Sequence, residues 1–242
     1  MLPEIYLIIP SYALMAAIGL FVAVLFVFFR MDSVGMSFAD LIAYMLCCAV
    51  FAVILARIVF VIAMIPSMDV ITLGEIMYYL LYGGIVFYGG LFGVLIGVIV
   101  VSKIKGRHAL PVLNMIAPAI PLFHCFARIG CLLAGCCYGI PWMWGVIMEN
   151  EPYVVRFPVQ LIESICNIFI FCLIMIYSKI RKSDDDNLKI YLCTYAVCRF
   201  ILEFFRGDTI RGKWVLGLST AQIISLGILF AYIVVSVKKR KT

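Results

Sequence analysis

Apolar stretches long enough to cross a bilayer recur from one end of this chain to the other, and they leave no room for a separate soluble domain. A run of about 18 or more apolar residues, coiled as a helix, spans the hydrocarbon core of a membrane. The charged fraction points the same way: 13% of residues are charged and 66% hydrophobic, where a soluble domain carries about 25% charged residues. The spans are predicted at Ile5–Phe29, Asp40–Met64, Ile85–Ser102, Leu110–Cys136, Pro158–Ser178, Ile190–Phe205 and Val215–Val237. The expected fold is therefore an all-α polytopic membrane protein of seven transmembrane helices, with residues 1–242 forming a single transmembrane domain. The first span is expected to be a mature helix, because it lacks a basic leader and a small-residue cleavage site and exceeds a signal core in length.

The basic residues orient these helices. Arg30, the cluster Lys103, Lys105 and Arg107, the cluster Lys179, Arg181, Lys182 and Lys189, and the terminal run Lys238–Lys241 all fall on one side. Arg156, Arg206, Arg211 and Lys213 fall on the other, and Arg57, Arg128 and Arg199 lie inside spans. Cytoplasmic loops carry the excess of Lys and Arg, so the N-terminus is expected outside and the C-terminus in the cytoplasm. The same rule accounts for the net charge of +6 without a nucleic-acid partner. Tyr78–Tyr82 and the pair Trp142 and Trp144 read as interfacial, where amphipathic rings sit at headgroup depth. The Asp184–Asp186 run reads as a solvated loop.

Charges inside a bilayer are costly and need a partner or a function. Placed along their spans, Tyr12, Arg57, Tyr88 with Gly89 and Gly90, His124, Arg128, Gln160, Glu163, Arg199, Glu203 and Arg206 all fall at one depth, in the outer leaflet. One reading is a set of helix-locking ion pairs: Arg199 and Glu203 stand four apart on one helix face, and Glu163 can neutralise Arg57 or Arg128. Against it, the four arginines Arg57, Arg128, Arg199 and Arg206 outnumber Glu163 and Glu203. A buried cationic surplus is expensive unless an anion enters, and guanidinium binds phosphate bidentately without losing its charge. The expectation is a cavity open to the outer leaflet that receives an anionic lipid headgroup.

Several segments resemble the prolipoprotein diacylglyceryl transferases, integral membrane enzymes of bacteria. Phe123–Tyr138, FHCFARIGCLLAGCCY, is similar to the family signature, and Ala117–Pro121 precedes it as in the family. In order along the chain, Ser11-Tyr12, Ala56-Arg57, Phe87–Leu91, Phe157–Glu163, Arg199–Arg206 and Leu218–Gln222 resemble family motifs of the corresponding helices. The chain departs from the pattern at Tyr88, where the family has histidine, at Cys131, where it has asparagine, and at Cys136, where the signature glutamate falls. It thus resembles a divergent branch with a Cys-rich signature segment. The resemblance implies seven helices, a bacterial inner-membrane location, and transfer of a diacylglyceryl group from phosphatidylglycerol to the thiol of a lipobox cysteine, with release of glycerol phosphate. It implies no cofactor and no metal.

Such a reaction builds negative charge on leaving phosphate oxygens, and preorganised cations stabilise that charge most in the transition state. Arg128 and Arg199 are the expected clamp, with Glu203 orienting Arg199. His124, one turn before Arg128, suits a general base, and Tyr88 an acid or hydrogen-bond donor. Tyr12, Arg57, Gly89, Gly90, Gln160, Glu163 and Arg206 are expected to contact the lipid. Cys47, Cys48, Cys166, Cys172, Cys193 and Cys198 lie in apolar runs and read as small hydrophobes. Cys131, Cys136 and Cys137 leave three readings open: packing, a covalent nucleophile, or a disulfide or redox pair. Alternatives in function are therefore a membrane thiol and quinone oxidoreductase built on these cysteines, or a non-catalytic lipid-binding protein. Gly135 and Gly139 mark a helix end at this point.

Overall fold

Short capping signals set where three of the helices begin, as seen in a computed structural model that describes residues 4–5, 9–65, 72–84, 86–148, 151–207 and 217–241. Its helices are α1 (Ser11–Arg30), α2 (Phe38–Met64), α3 (Leu73–Tyr82), α4 (Phe87–Ile104), α5 (Ala109–Ile116), α6 (Ala119–Leu133), α7 (Val159–Arg181), α8 (Asn187–Leu202) and α9 (Thr220–Lys241). Ser37 and Asp40 cap α2 reciprocally, each side chain taking the other residue's backbone N–H. Thr72 and Glu75 do the same for α3, and Ser219 and Gln222 for α9. Each exchange satisfies two of the N–H groups that a helix start leaves without partners.

Among the described residues, six stretches are long and apolar enough to cross a membrane: Ser11–Val34, Phe38–Met64, Phe87–Ile104, Ala109–Leu133, Val159–Arg181 and Thr220–Val237. The second, third, fifth and seventh expected spans hold within a few residues at their described ends; the others change for stated reasons. The first helix starts at Ser11, not Ile5, because Glu4–Ile5 (β1) pairs antiparallel with Ile9–Pro10 (β2), and a proline disfavours helix in the residue before it. The fourth span is two helices: Pro118 interrupts it after Ile116 and stands at the cap of α6. Pro121, at the third position of α6, removes an N–H that would have no helical partner anyway. The chain between the fourth and fifth spans is a hairpin, β3 (Pro141–Met148) against β4 (Glu151–Arg156), so the fold is not purely α. The sixth segment, α8, has 16 residues and continues as a 3-10 turn over Glu203–Phe205. The expected boundaries Ile85 and Val215, and the loop cations Arg211 and Lys213, lie outside the described residues.

Contacts divide the chain into two units. The first contains Met1–Phe29, Ile116–Asp208 and Ser225–Thr242. Here α6, α7 and α8 pack together, and Ile170, Ile174, Tyr191, Tyr195 and Ala196 are among their fully buried residues. Phe157, Val159 and Leu202 form a small core with Ile140, Ile162 and Phe205, and the rings of Phe157 and Phe205 stack 4.8 Å apart. Trp142 sets its edge against both, which joins the hairpin to the start of α7. Large apolar side chains such as Phe21, Phe169 and Phe230 point outward, as expected of helices whose solvent is lipid.

The second unit contains Arg30–Met115 and Thr209–Ile224. Its centre is the α2–α4 pair. Gly89, Gly93 and Gly97 recur every fourth residue along one face of α4; a Cβ at Gly93 would stand 2.4 Å from the Phe51 carbonyl oxygen and 2.5 Å from the Ala52 Cα. Ala56, Ala52 and Cys48 supply the facing small residues. Small residues at this spacing let backbones approach closely, a main source of helix association in lipid. At the other end of the pair, Asp40 forms ion pairs with Lys105 and with Arg107, the latter at 3.0 Å. The Tyr44 and Ser102 hydroxyls lie 2.9 Å apart.

Candidate functional site

Three helices of the first unit each turn one polar stripe toward a common centre. On α6 the stripe is His124, Arg128 and Cys131; on α7 it is Gln160, Glu163 and Asn167; on α8 it is Tyr195 and Arg199, followed by Glu203 in the 3-10 turn. Spacings of three and four residues put side chains on one helical face. All of these are buried, and all except Cys131 and Tyr195 carry strongly polar or charged side chains.

Glu163, 2% exposed, is the hub. Arg128 Nη2 reaches its Oε1 at 3.0 Å, and Arg199 Nη1 lies 3.2 and 3.3 Å from its two oxygens. Arg199 Nη2 pairs with Glu203 Oε2 at 2.9 Å. The chain of charges Arg128–Glu163–Arg199–Glu203 therefore alternates in sign. His124 Nε2 accepts a hydrogen bond from Arg128 Nε at 3.0 Å, which commits the lone pair of that nitrogen to the guanidinium. The His124 and Tyr195 rings lie 5.4 Å apart. Arg128 Nη1 donates to the Cys131 Sγ, a soft acceptor at 3.9 Å.

Two further arginines bring the buried, described residues of this unit to four guanidinium groups against two carboxylates. Arg156 donates from Nη1 to the Gly139 carbonyl at 3.0 Å and stacks 4.3 Å above the Tyr138 ring. Arg206 lies within electrostatic reach of Glu163 and Cys137, in a segment that bridges Gly139. Sequence reasoning counted Arg156 only as a loop charge and passed over Asn167 and Tyr195. Helical spacing from Glu163 and from Arg199 marks the last two; the tertiary path of the hairpin alone marks Arg156.

The structure also places the remaining sequence candidates. Tyr12 on α1 lies against Gly130 of α6, whose added Cβ would meet the Tyr12 Cα at 3.2 Å; its phenol is within electrostatic reach of Arg128 and of the three signature thiols. Gln160, fully buried, donates from Nε2 to the Cys136 carbonyl at 2.8 Å. Arg57, Tyr88, Gly89 and Gly90 belong to the second unit. There Arg57 Nη1 donates to the Leu80, Leu81 and Gly83 carbonyls at 3.3, 2.8 and 2.9 Å, which caps the C-terminus of α3 as cationic side chains do. Tyr88 is 1% exposed. Gly89 is taken up by packing against α2, whereas a Cβ at Gly90 would meet nothing within 4 Å.

A family model for prolipoprotein diacylglyceryl transferase matches residues 2–238. The phosphatidylglycerol–prolipoprotein diacylglyceryl transferase of Clostridium tetani is 38% identical over 149 residues, 59% of each chain. The second such protein of Clostridium perfringens is 34% identical over 60% of this chain and 59% of its own length. That of Idiomarina loihiensis is 30% identical over 68% of this chain and 64% of its own. The chain therefore spans less than two thirds of the curated relatives it matches. It belongs to the prolipoprotein diacylglyceryl transferase family, and its apolar helices make it a multi-pass membrane protein.

Proposed function

We propose that this chain moves a diacylglyceryl group from a phosphatidylglycerol-like donor to the thiol of a prolipoprotein cysteine, in a bacterial inner membrane and on its outer side. The observation that carries this reading is the buried Arg128, braced by Glu163 and His124 so that one guanidinium nitrogen remains aimed at the Cys131 side of the site. In the reaction the acceptor sulfur forms a bond to the glycerol carbon that carries the phosphate ester. The carbon–oxygen bond breaks, glycerol phosphate leaves with the electron pair, and the thiol proton passes to a base or to water. The phosphate gains a negative charge as it leaves, and a fixed guanidinium stabilises that charge without reorganising. The excess of buried arginines over carboxylates supports an anionic ligand, since it raises the cost of leaving the site empty.

In this reading Arg128 contacts the phosphate, and Arg199 and Glu203 position it through Glu163. His124 orients Arg128 rather than taking the acceptor proton, because its Nε2 already accepts from that arginine. Tyr12, Gln160 and Arg206 flank the same centre; Tyr88, Gly90 and Arg57 are candidates for lipid contact from their own unit. We also assign α8 as a span, sixth in chain order, which brings the total to seven: about 24 Å of α-helix plus about 6 Å of 3-10 turn matches a hydrocarbon core of about 30 Å. Loop charge supports an outside N-terminus. The deciding experiment incubates the purified protein with head-group-labelled phosphatidylglycerol and a lipobox peptide. Released glycerol phosphate together with a lipidated peptide is expected; binding of the lipid without release would leave a non-catalytic lipid-binding protein.

A further inference from the structure

The turn that ends α6 gathers three thiols. Cys131 lies in the last turn of the helix, and the Cys136 N–H bonds its carbonyl at 3.1 Å while the Gly135 N–H bonds that of Leu132 at 3.3 Å. Gly135, at φ 70°, makes the left-handed step this pair of bonds needs. The pattern folds residue 136 back over residue 131, so a cysteine at each position brings two sulfurs together. Cys137 completes the set from a backbone at φ 58°, a conformation unusual for a residue with a Cβ. The Gln160 side chain fixes the turn by binding the Cys136 carbonyl. As a result the three Sγ atoms all lie within 4.8 Å of one another. Strain of this kind persists where the surroundings hold it and points to a function; packing alone would not require it.

We infer that Cys131, Cys136 and Cys137 form a binding site for one thiophilic d10 metal ion of the Zn²⁺, Cd²⁺ or Cu⁺ class. Zinc–sulfur bonds of about 2.3 Å around a tetrahedron set neighbouring sulfurs about 3.8 Å apart, so small side-chain rotations from the observed cluster suffice. Binding replaces three S–H bonds by three S–metal bonds and releases three protons to solvent. Three thiolates with a divalent ion carry one net negative charge, which the Arg128 guanidinium beside Cys131 and the nearby Arg206 offset. A site of neutral ligands would fail among these arginines; thiolates invert the local charge. Cys131 is buried, Cys137 half-buried and Cys136 exposed, which gives the ion an entry and leaves a fourth position open.

The test is titration of the reduced, metal-free protein in detergent with Cd²⁺, followed by its ultraviolet thiolate charge-transfer band and chased with Zn²⁺. One ion per chain is expected. Cys131→Ser, Cys136→Ser and Cys137→Ser should each weaken binding by more than the roughly 10–100-fold typical of losing an outer-sphere partner. Cys172→Ser, which removes an exposed thiol of α7, should not. Thermal unfolding without metal separates lost binding from lost folding. X-ray absorption on the cadmium-loaded wild type should count three sulfur neighbours and requires no variant. Absence of saturable binding, fewer than three sulfurs, or unchanged affinity in the Cys136→Ser, Cys137→Ser double variant overturns the inference. So does a reduced protein that binds nothing and oxidises to a Cys131–Cys136 disulfide. Because no lipid is present, the outcome is independent of the transferase assay.

Discussion

Replacing Arg128 by lysine separates a phosphate clamp from a structural ion pair. The guanidinium uses three nitrogens in three directions: Nε to His124, Nη2 to Glu163 and Nη1 toward Cys131. A lysine ammonium keeps the charge but is a single point on a flexible stem. Drawn to Glu163, the only carboxylate that pairs with Arg128 among the described residues, it no longer reaches the phosphate position. Glu163 stays neutralised, so the penalty of an unpaired buried charge, about 3–5 kcal/mol, is avoided and the protein should fold. The transition state loses one preorganised donor, about 2.7–4 kcal/mol or roughly 10²–10³-fold in rate. The assay is release of glycerol phosphate from labelled phosphatidylglycerol, with thermal unfolding measured in parallel. Arg199→Lys provides the contrast. Both of its terminal nitrogens are engaged by Glu163 and Glu203, so its loss should show first in stability. A well-folded Arg128→Lys protein that turns over at the wild-type rate would refute the clamp and leave the cluster as a structural network.

Arg199→Ala removes the ion pair to Glu203 and should lower the unfolding temperature, and adding Glu203→Ala should recover part of the loss by an interaction energy of about 0.5–3 kcal/mol. Glu163→Gln leaves two buried guanidinium groups short of their shared carboxylate and should cost about 3–5 kcal/mol, read by thermal unfolding in detergent. Gly93→Leu should prevent α2 and α4 from packing, since even a Cβ would stand 2.4 Å from the Phe51 carbonyl oxygen; misfolded or degraded protein is expected, and normal expression with wild-type stability would contradict the close approach. For orientation, Tyr153→Cys on the hairpin should react with an impermeant thiol reagent from outside intact cells and Lys182→Cys after α7 only once they are opened, both side chains being exposed.

The stripes on α6, α7 and α8 were legible because a helix has a fixed period. His124 and Arg128, or Arg199 and Glu203, must share a face wherever their helices lie, and the stretches around them are apolar enough to force burial. The family motifs likewise run in order along the chain, and a family model matches almost all of it. The capping pairs at Ser37, Thr72 and Ser219 could also be found by their spacing. Two features were not legible. The hairpin over Pro141–Arg156 lacks strict alternation, and its tryptophans suited an interfacial loop equally well. The break at Pro118 was hidden because both halves of the fourth span are apolar.

The sequence by itself determined that the chain lives in a membrane, roughly where six of its long apolar helices lie, and which charges the helices of the first unit bury. Hydrophobic length and helical period are local quantities, and no partner is needed to read them. Only the tertiary structure decided which charge meets which. Composition allowed Glu163 to neutralise Arg57 or Arg128, yet it bridges Arg128 and Arg199, while Arg57 caps α3. Pairing depends on distances between helices of about an ångström, and at short range in a low-dielectric interior the Coulomb energy changes by kilocalories over that distance. The three thiols follow the same division: their spacing around Gly135 is written in the chain, but their meeting within one ion's reach depends on the left-handed turn and on Gln160, which holds it from α7.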